Sequence, residues 1–407
     1  MLNLFRRVLL SWPAFVVIVS LVMVWRRPDQ FHRPYLWVEE GIVTLPAYLA
    51  HGWLSLFEPV AGYIVLPAKL IFLSAASISF THLPRIEYWL TLVFEVSTLV
   101  LIAFSPSRLK FPVVAALAVA LLPTDSEVYA VSEYAFWWGA LWSFVAIFWQ
   151  EGERPRTFWR GVLVAVGGFS SPMAIPAAAI LGIRAAALRK RADVVVVGVA
   201  VAAAAVQWSV MHATGAMATP SVVGFDAFGV VTRFFGNFAL AAPAASDQFG
   251  LVVGVLIIAG LCVFAVKNGK WRDPYFVMLL ACLCASILAS ISRVPVGAIH
   301  PFLAGPRYFF FAYIFLAWLL LYSFPESGVI WRSLVVVVFF GALVQFALHG
   351  QRHHDTIGWR TELKKCSGSG DEVYPLLIHF DGNIPNAWHV PLTGRQCDEL
   401  KRRGVFR

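Results

Sequence analysis

Two adjacent carboxylates, Glu39 and Glu40, follow the first long apolar run of the sequence in the stretch PYLWVEEGI. Neighbouring side chains on a helix point about 100° apart, so we expect only one of the pair to face a given cavity. A carboxylate at a partly dry surface can have a raised pKa, which suits a general base. His51 and Glu58 lie in the same loop and favour this interpretation over a pair of solvated loop acids.

A second group of acids lies among aromatic residues in the stretch LLPTDSEVYAVSEYAFWW, which contains Asp125, Glu127 and Glu133. Carboxylates accept protons from hydroxyl groups, so acids beside aromatic rings suit a sugar-binding site. The same composition is also typical of an aromatic belt at a membrane interface. Both interpretations are open at this point.

Basic side chains form a third group: Lys69, Arg85, Arg233, Arg293 and Arg307. A guanidinium binds a phosphate through two parallel N–H donors, so Arg307 can clamp a lipid phosphate. The alternative is an interfacial anchor at the start of an apolar run.

The composition predicts that these groups belong to a helical membrane protein with many spans. The chain has 407 residues, of which 59% are hydrophobic and 14% charged, and its mean hydropathy is +0.73. Apolar runs of about 20 residues, enough to cross a bilayer, recur from residue 8 to residue 348. The first run ends in VMVWRRPD without a small-residue cleavage site, which predicts a retained span. The net charge of +9 comes largely from short loops and indicates topology signals, with no nucleic-acid partner.

Clear spans are predicted at 8–25, 88–105, 111–123, 136–149, 193–212, 247–266, 274–291, 307–324 and 329–348. Residues 63–80 decide the topology, because a crossing there would invert everything downstream. If this segment lies in the outer interface, thirteen loop cations face the cytoplasm, which the positive-inside bias favours. They are Arg108, Lys110, Arg154, Arg156, Arg160, Arg184, Arg189, Lys190, Arg191, Lys267, Lys270, Arg272 and Arg332. Residues 160–188, interrupted by GGFSSPMAIP, form either two short spans or a re-entrant hairpin.

The prediction is therefore an all-α polytopic protein of about eleven transmembrane helices in a bacterial inner membrane, with a cytoplasmic N-terminus and a periplasmic C-terminus. A transmembrane domain, 1–348, includes a first outer loop, 26–87, with interfacial helices. A small periplasmic segment, 349–407, follows it. Its two cysteines, Cys366 and Cys397, are expected to form a disulfide if the segment lies outside the cytoplasm. The cysteines within spans, Cys262, Cys282 and Cys284, are predicted to be packing residues.

Common cofactor motifs do not occur in the sequence. It has no phosphate-binding glycine loop, no HExxH motif and no Cys/His cluster with zinc spacing. No metal ligands are predicted, and the cofactor is unknown, with a divalent cation as an open alternative. The cytoplasmic loops are short, so a sugar donor used at the outer face is expected to arrive on a lipid.

At these motifs the sequence resembles the GT-C superfamily of integral-membrane glycosyltransferases, which take sugars from polyprenyl-phosphate carriers. The aminoarabinose transferase of lipid A and the protein O-mannosyltransferases carry an acidic pair, typically Asp-Glu, in the first outer loop, where this chain has VEEG. The stretch LFEPVAGYIVLPAKL is similar to their Phe-Glu-Lys-Pro-Pro segment, which implies that 63–80 lies on the surface. Glu39 stands in place of Asp and the Lys of that segment is missing, so phosphate binding would fall to Lys69, Arg293 or Arg307.

The chain also resembles a group of bacterial polytopic proteins with a Trp-x-Glu-Asp-Gly first loop, an Ala-Gly-Tyr segment and an Arg-Tyr pair at a late span. The matching stretches are WVEEG, AGY with Tyr63, PRYFFF with Arg307 and Tyr308, and NIPNAWHVPL in the tail.

These resemblances imply an inverting glycosyltransferase that moves a sugar from a polyprenyl-phosphate donor to a glycan or glycolipid acceptor at the periplasmic face. Glu39 would deprotonate the acceptor hydroxyl, and Glu40 would orient or replace it. The implied substrate-binding residues are His51, Glu58, Tyr63, Lys69, Asp125, Glu127, Glu133, Arg293, Arg307 and Tyr308. The alternative is a non-enzymatic protein of surface-polysaccharide export, either a lipid-linked sugar flippase or an accessory subunit. Charges along the spans are scarce, which disfavours the flippase.

Overall fold

The computed structural model describes residues 11–150, 156–217, 225–241, 247–354, 357–379 and 388–404, and most of these residues are helical. The helices before residue 350 are α1 (Trp12–Arg26), α2 (Pro28–His32), α3 (Leu45–His51), α4 (Leu66–Ile78), α5 (Leu83–Phe104), α6 (Pro112–Ala120), α7 (Ala135–Ile147), α8 (Thr157–Gly168), α9 (Ala174–Leu188), α10 (Arg191–Ala213), α11 (Ala227–Val230), α12 (Asp247–Lys267), α13 (Pro274–Ile291), α14 (Phe310–Ser323) and α15 (Val329–His349). Two π-helical turns, Glu40–Thr44 and Val231–Gly236, precede α3 and follow α11.

Proline marks the start of many of these helices. Its fixed backbone angle suits the first turn, where the missing N–H has no partner within the helix. Prolines occupy the first turns of α1, α4, α5, α6 and α13 at positions Pro13, Pro67, Pro84, Pro112 and Pro274.

Six helical segments among the described residues are long and apolar enough to cross a membrane by length and composition. They are Phe80–Phe104, Arg191–Ala213, Asp247–Lys267, Pro274–Ile291, Pro306–Ser323 and Val329–His349. Every segment that the sequence predicts as a span contains a helix, but α6 has only 9 residues and α7 only 13. The broken region at 160–188 consists of α8 and α9, joined through residues 169–173.

Helix α4, which covers most of the segment 63–80, packs between two parts of the chain. At its first residue, the Leu66 backbone N–H donates to the carbonyl of Phe169, 3.0 Å away. Beyond its last residue, the Trp359 indole N–H donates to the carbonyl of Phe80, also 3.0 Å away. One end of α4 therefore contacts the turn between α8 and α9, and the other contacts the C-terminal segment.

The polar segments gather into two separate groups. In the first, the Arg352 guanidinium pairs with Asp125 at 2.6 Å, and the Asp125 backbone N–H donates to the carbonyl of Pro301. The Thr214 hydroxyl in the same group donates to the carbonyl of Gly62. This group joins the segments predicted to lie outside.

The second polar group joins the ends of other helices. Lys270 pairs with Glu326 at 2.6 Å, and the Tyr322 hydroxyl donates to Asp273 at 2.5 Å. The buried Asp193 carboxylate is paired with Arg160 and Arg184 at 2.7 and 3.0 Å. All of these segments are predicted to be cytoplasmic.

Two buried arginines at the end of α1 hold the loop 121–134. Arg26 donates to the carbonyls of Ala120, Leu122 and Thr124, which satisfies acceptors at the C-terminal end of α6. Arg27 pairs with Asp29 at 3.0 Å and donates to the carbonyls of Ser126 and Tyr129. This loop then leads to Ser132, Glu133 and α7.

Among the described residues, regular β-strands occur only in the C-terminal segment. After α16 (Trp359–Gly368), strands β1 (Val373–His379) and β2 (Trp388–Thr393) pair antiparallel, and α17 (Gly394–Arg403) follows. The expectation of an all-α chain is therefore wrong here, because VYPLLIH and WHVPLT alternate buried apolar residues with exposed ones, which suits strands. A disulfide joins Cys366 in α16 to Cys397 in α17, with 6.2 Å between their Cα atoms.

This segment packs against the first outer loop. Leu376 and Ile378 of β1 lie in one apolar cluster with Leu45 of α3 and Phe72 of α4. A Cβ added at Gly41 would lie 2.1 Å from Ile378 Cδ1. Glycine at position 41, directly after the acidic pair, therefore permits close approach of the strand.

Candidate active site

A cavity of about 310 Å³ lies where five parts of the chain meet. Its walls come from the first outer loop, the start of α7, the turn between α8 and α9, the end of α13 and the start of α14. Six of the predicted site residues line it: Glu39, Tyr63, Glu133, Arg293, Arg307 and Tyr308. These residues are as far apart in sequence as positions 39 and 308, so the fold brings them together.

Glu39 presents a free carboxylate oxygen at this cavity. It stands one residue before the π-helical turn Glu40–Thr44 and is partly buried. Its Oε2 atom is buried and has no hydrogen-bond partner among the described residues. A buried acceptor without a partner is unfavourable in the unliganded protein, so Glu39 is available to accept a proton from a bound group.

Glu40 points away from the cavity and holds the loop that carries Glu133. Its carboxylate accepts from the backbone N–H groups of Trp37 at 2.6 Å and Glu133 at 2.5 Å, and from the Ser132 hydroxyl. Burial raises the pKa of Glu40 to about 7, an effect that the neighbouring Glu39 charge increases and these hydrogen bonds oppose. Glu40 is therefore built into the fold, as expected when one of two adjacent carboxylates faces the cavity.

Glu133 adds a second carboxyl group to the cavity wall. Burial, followed by the charges of Glu40 and Glu39, raises the pKa of Glu133 well above its ordinary value. This arrangement favours a protonated Glu133 beside Glu39, since two nearby carboxyl groups resist simultaneous ionisation. A protonated Glu133 can donate a hydrogen bond to a sugar hydroxyl or to Glu39.

Arg307 is positioned by a second acid, Glu127. Its guanidinium Nη1 donates to Glu127, which also accepts from the Tyr134 hydroxyl at 2.8 Å. The Arg307 backbone N–H donates to Glu127 as well, at 3.3 Å. A guanidinium has five N–H donors, so Arg307 retains capacity for an anion in the cavity while Glu127 fixes its position.

Arg293 and the tyrosines complete the polar wall. Arg293 is exposed and donates from Nη1 to the carbonyl of Ala216 at 3.1 Å. The Tyr63 ring packs edge-on against Phe136, and burial raises the pKa of its phenol, which therefore remains a neutral donor. The cavity is thus lined both by the acidic Glu39 and by two basic residues, Arg293 and Arg307.

Besides Glu40, five predicted site residues do not line the cavity. His51 and Glu58 pair with each other at 2.5 Å on the surface, and Lys69 is buried and donates to the carbonyl of Ser55. Asp125 is engaged by Arg352. Glu127 acts on the cavity only through Arg307 and Tyr134.

The cavity also contains residues that the sequence did not single out. Ser171, Pro172 and Met173 come from the turn between α8 and α9, and Ser286 and Ser290 come from α13. The break GGFSSPMAIP was the available signal, because irregular backbone at membrane depth must line a cavity or be covered by protein. The serines of α13 gave no such signal.

The described residues contain no group of three or more His, Cys, Asp or Glu side chains that could hold a metal ion. No ligands are therefore assigned to the divalent cation considered from the sequence.

Fold and cavity together define a mostly helical protein with several helices suited to a membrane and a cavity lined by acids and arginines. No protein-family model matches the sequence, and neither a curated protein nor a solved structure shows a significant match.

Proposed function

We propose that the protein is an inverting, GT-C-type membrane glycosyltransferase that takes its sugar from a polyprenyl-phosphate donor and passes it to a glycan or glycolipid acceptor. The observation that carries the proposal is the shared cavity, in which the free oxygen of Glu39 lies together with Arg293 and Arg307. A base and phosphate-binding groups in one cavity are what this transfer requires.

In the proposed reaction, the acceptor hydroxyl oxygen attacks the anomeric carbon of the donor sugar. Its proton passes to the Glu39 carboxylate as the new glycosidic bond forms. The bond between the anomeric carbon and the phosphate oxygen breaks, and its electron pair leaves with polyprenyl phosphate. Arg307 and Arg293 stabilise the charge that develops on the departing phosphate. One displacement at the anomeric carbon inverts its configuration.

The proposal includes eleven crossings of a bacterial inner membrane, with the cavity and the C-terminus on the periplasmic face. The contacts among segments 26–87, 124–135, 213–217, 292–306 and 349–354 support a common side for these segments. The packing of α4 beneath the C-terminal segment supports a surface position for 63–80.

The test is transfer activity in the Glu39→Gln variant, which keeps the shape of the side chain and removes the proton acceptor. We expect activity to fall by a factor on the order of 10²–10⁴, the usual contribution of general base catalysis. Glu58→Gln is the matched control, because Glu58 lies in the same outer loop but pairs with His51 outside the cavity. The control should retain near-normal activity.

Two readouts make this experiment decisive. The cellular glycan reports function without knowledge of the donor, and immunoblotting of membranes shows that each variant is present. Release of polyprenyl phosphate from lipid extracts by the purified protein separates catalysis from export. A purified wild-type protein that releases none, with normal glycan in the Glu39→Gln strain, would refute the enzyme and favour the non-enzymatic alternative.

A further inference from the structure

A second cavity, with a different lining from the first, lies between the first outer loop and the C-terminal segment. It measures about 520 Å³ and shares no lining residue with the cavity at Glu39. Its polar lining includes Arg33, Arg85, Arg360, His32 and His82, and no Asp or Glu occurs among the described residues that form it. This basic cavity is therefore suited to an anion.

Parts of the wall of the basic cavity are fixed by hydrogen bonds between distant segments. Arg85 donates to the carbonyls of Phe31 and His32, both at 2.9 Å. These neutral acceptors fix the position of the guanidinium without neutralising its charge. Arg360 contacts His82, and the neighbouring Trp359 indole donates to the carbonyl of Phe80. Three separate chain segments thus converge around one site.

An apolar groove begins beside the basic cavity and runs between α1 and α5. It measures about 720 Å³, and nearly all of its lining is apolar. On α5 the groove is lined by Trp89, Val93, Val96 and Val100, which follow Arg85 of the basic cavity at spacings of four, four, three and four residues. Such spacing places all five on one side of the helix.

Phe31 links the two features. Its carbonyl accepts from Arg85, and its ring packs edge-on against the indole of Trp89 with 6.0 Å between centroids. From Arg85 to Val96 the helix rises roughly 16 Å, about half of the hydrocarbon core and therefore about the depth of the acyl chains of one leaflet. The groove side chains Val17, Leu21 and Val93 are exposed, as expected for groups that contact acyl chains.

We propose that the basic cavity and the groove together bind one anionic phospholipid, with its phosphate headgroup beside Arg33, Arg85 and Arg360 and its acyl chains against α1 and α5. A free phosphate would occupy the cavity alone and leave the groove unexplained. A phospholipid explains both features. Its anionic headgroup matches the cations at one end of the helix, and its acyl chains match the apolar face that follows. The site holds the C-terminal segment and the first outer loop around one headgroup.

The test measures lipid binding to the full-length protein in detergent by native mass spectrometry, with phosphatidylglycerol as the anionic probe and phosphatidylcholine as the neutral one. Wild-type protein should prefer phosphatidylglycerol by at least about tenfold, since each basic residue near an anionic lipid contributes on the order of fivefold. The double variant Arg33→Gln/Arg360→Gln should lose most of this preference. Arg85 is left unchanged because it also holds the backbone of residues 31 and 32.

The groove is tested by Val93→Trp, which fills it and should weaken binding of both lipids. Val337→Trp on α15 is its control, because Val337 is similarly exposed and lies outside the groove. The double variant Arg272→Gln/Arg402→Gln controls for the loss of two positive charges, because neither residue lines the basic cavity or the groove, and it should keep the wild-type lipid preference. Equal affinity for the two lipids, or an unchanged preference in Arg33→Gln/Arg360→Gln, would overturn the proposal. Displacement of phosphatidylglycerol by millimolar inorganic phosphate, with Val93→Trp behaving as wild type, would also overturn it and leave a simple anion site.

Discussion

At the scale of single residues, the two adjacent carboxylates have separate tasks. Helical geometry predicts from sequence that Glu39 and Glu40 diverge, but the choice between them depends on residues 132 and 133, more than ninety positions away. The same applies to Arg307, whose position is set by Glu127 across the chain. Residue types at the site could therefore be predicted, whereas their partners depend on tertiary contacts that one sequence does not reveal.

Glu40 should make the stability of the protein depend on pH. Burial raises its pKa from an ordinary 4.5 to about 7, so the folded state holds this proton more tightly than the unfolded state does. Its contribution to stability is thus fully present below pH 4.5 and is lost as the pH rises towards 7. Thermal unfolding in detergent between pH 4.5 and 7.5 should show a shallower pH dependence in Glu40→Gln than in wild type.

The neighbouring Glu133, whose pKa is also raised by burial, leaves a residual slope in that variant. Glu40→Gln should also lower overall stability by about 1–3 kcal/mol, because the amide cannot accept all three hydrogen bonds and leaves a buried donor unsatisfied. Glu58→Gln, on the surface, is the control and should follow the wild-type curve. An unchanged slope in Glu40→Gln would show that Glu40 does not titrate in this range.

At the scale of elements, apolar runs predict the helices well and the small C-terminal segment poorly. A run such as 247–266 corresponds almost residue for residue to α12, because apolar length dominates there. The strands β1 and β2 escaped prediction since each is short and its partner follows only after several residues. The break between α8 and α9 was visible as Gly, Ser and Pro, but its role in the cavity required the fold.

The contact between Gly41 and β1 gives a prediction at this scale. Gly41→Ala should destabilise the protein by about 1–3 kcal/mol, because the new methyl group overlaps the buried Ile378 Cδ1. Adding Ile378→Val removes that atom and should restore part of the lost stability. The double variant should therefore lose less unfolding free energy than the two single variants lose together. Midpoints of thermal unfolding in detergent measure all three variants.

Gly182→Ala serves as the control, since nothing lies within 4 Å of a Cβ at that position and alanine favours a helix. If the stability losses of Ile378→Val and Gly41→Ala are additive, the Ile378 side chain does not contact residue 41 as closely as the structure indicates.

At the scale of the whole molecule, the separation of two polar groups is what we expect of a chain with several helices long and apolar enough to cross a membrane. The group around Lys270, Arg184 and Arg160 contains cations of the short loops from which the topology is predicted, whereas the other group contains the acids of the cavity. The buried Arg26 and Arg27 lie with the first polar group, but both bind carbonyl oxygens and serve the fold. They are therefore compatible with the orientation that the positive-inside bias predicts for the exposed loop cations.

The orientation of the whole chain is tested by fusions at two positions. Alkaline phosphatase, which is active only in the periplasm, should be active when fused after residue 407, and a green fluorescent protein there should be dark. The same fusions after residue 327, between α14 and α15, should behave in the opposite way, because the loop there pairs Glu326 with Lys270 in the second polar group. If the whole chain instead had the opposite orientation in the membrane, both patterns would reverse together. Fluorescence after residue 407 with phosphatase activity after 327 would thus place the cavity on the cytoplasmic side. A periplasmic lipid-linked donor would then be unable to reach Glu39, so this outcome would refute the proposed site of transfer along with the topology.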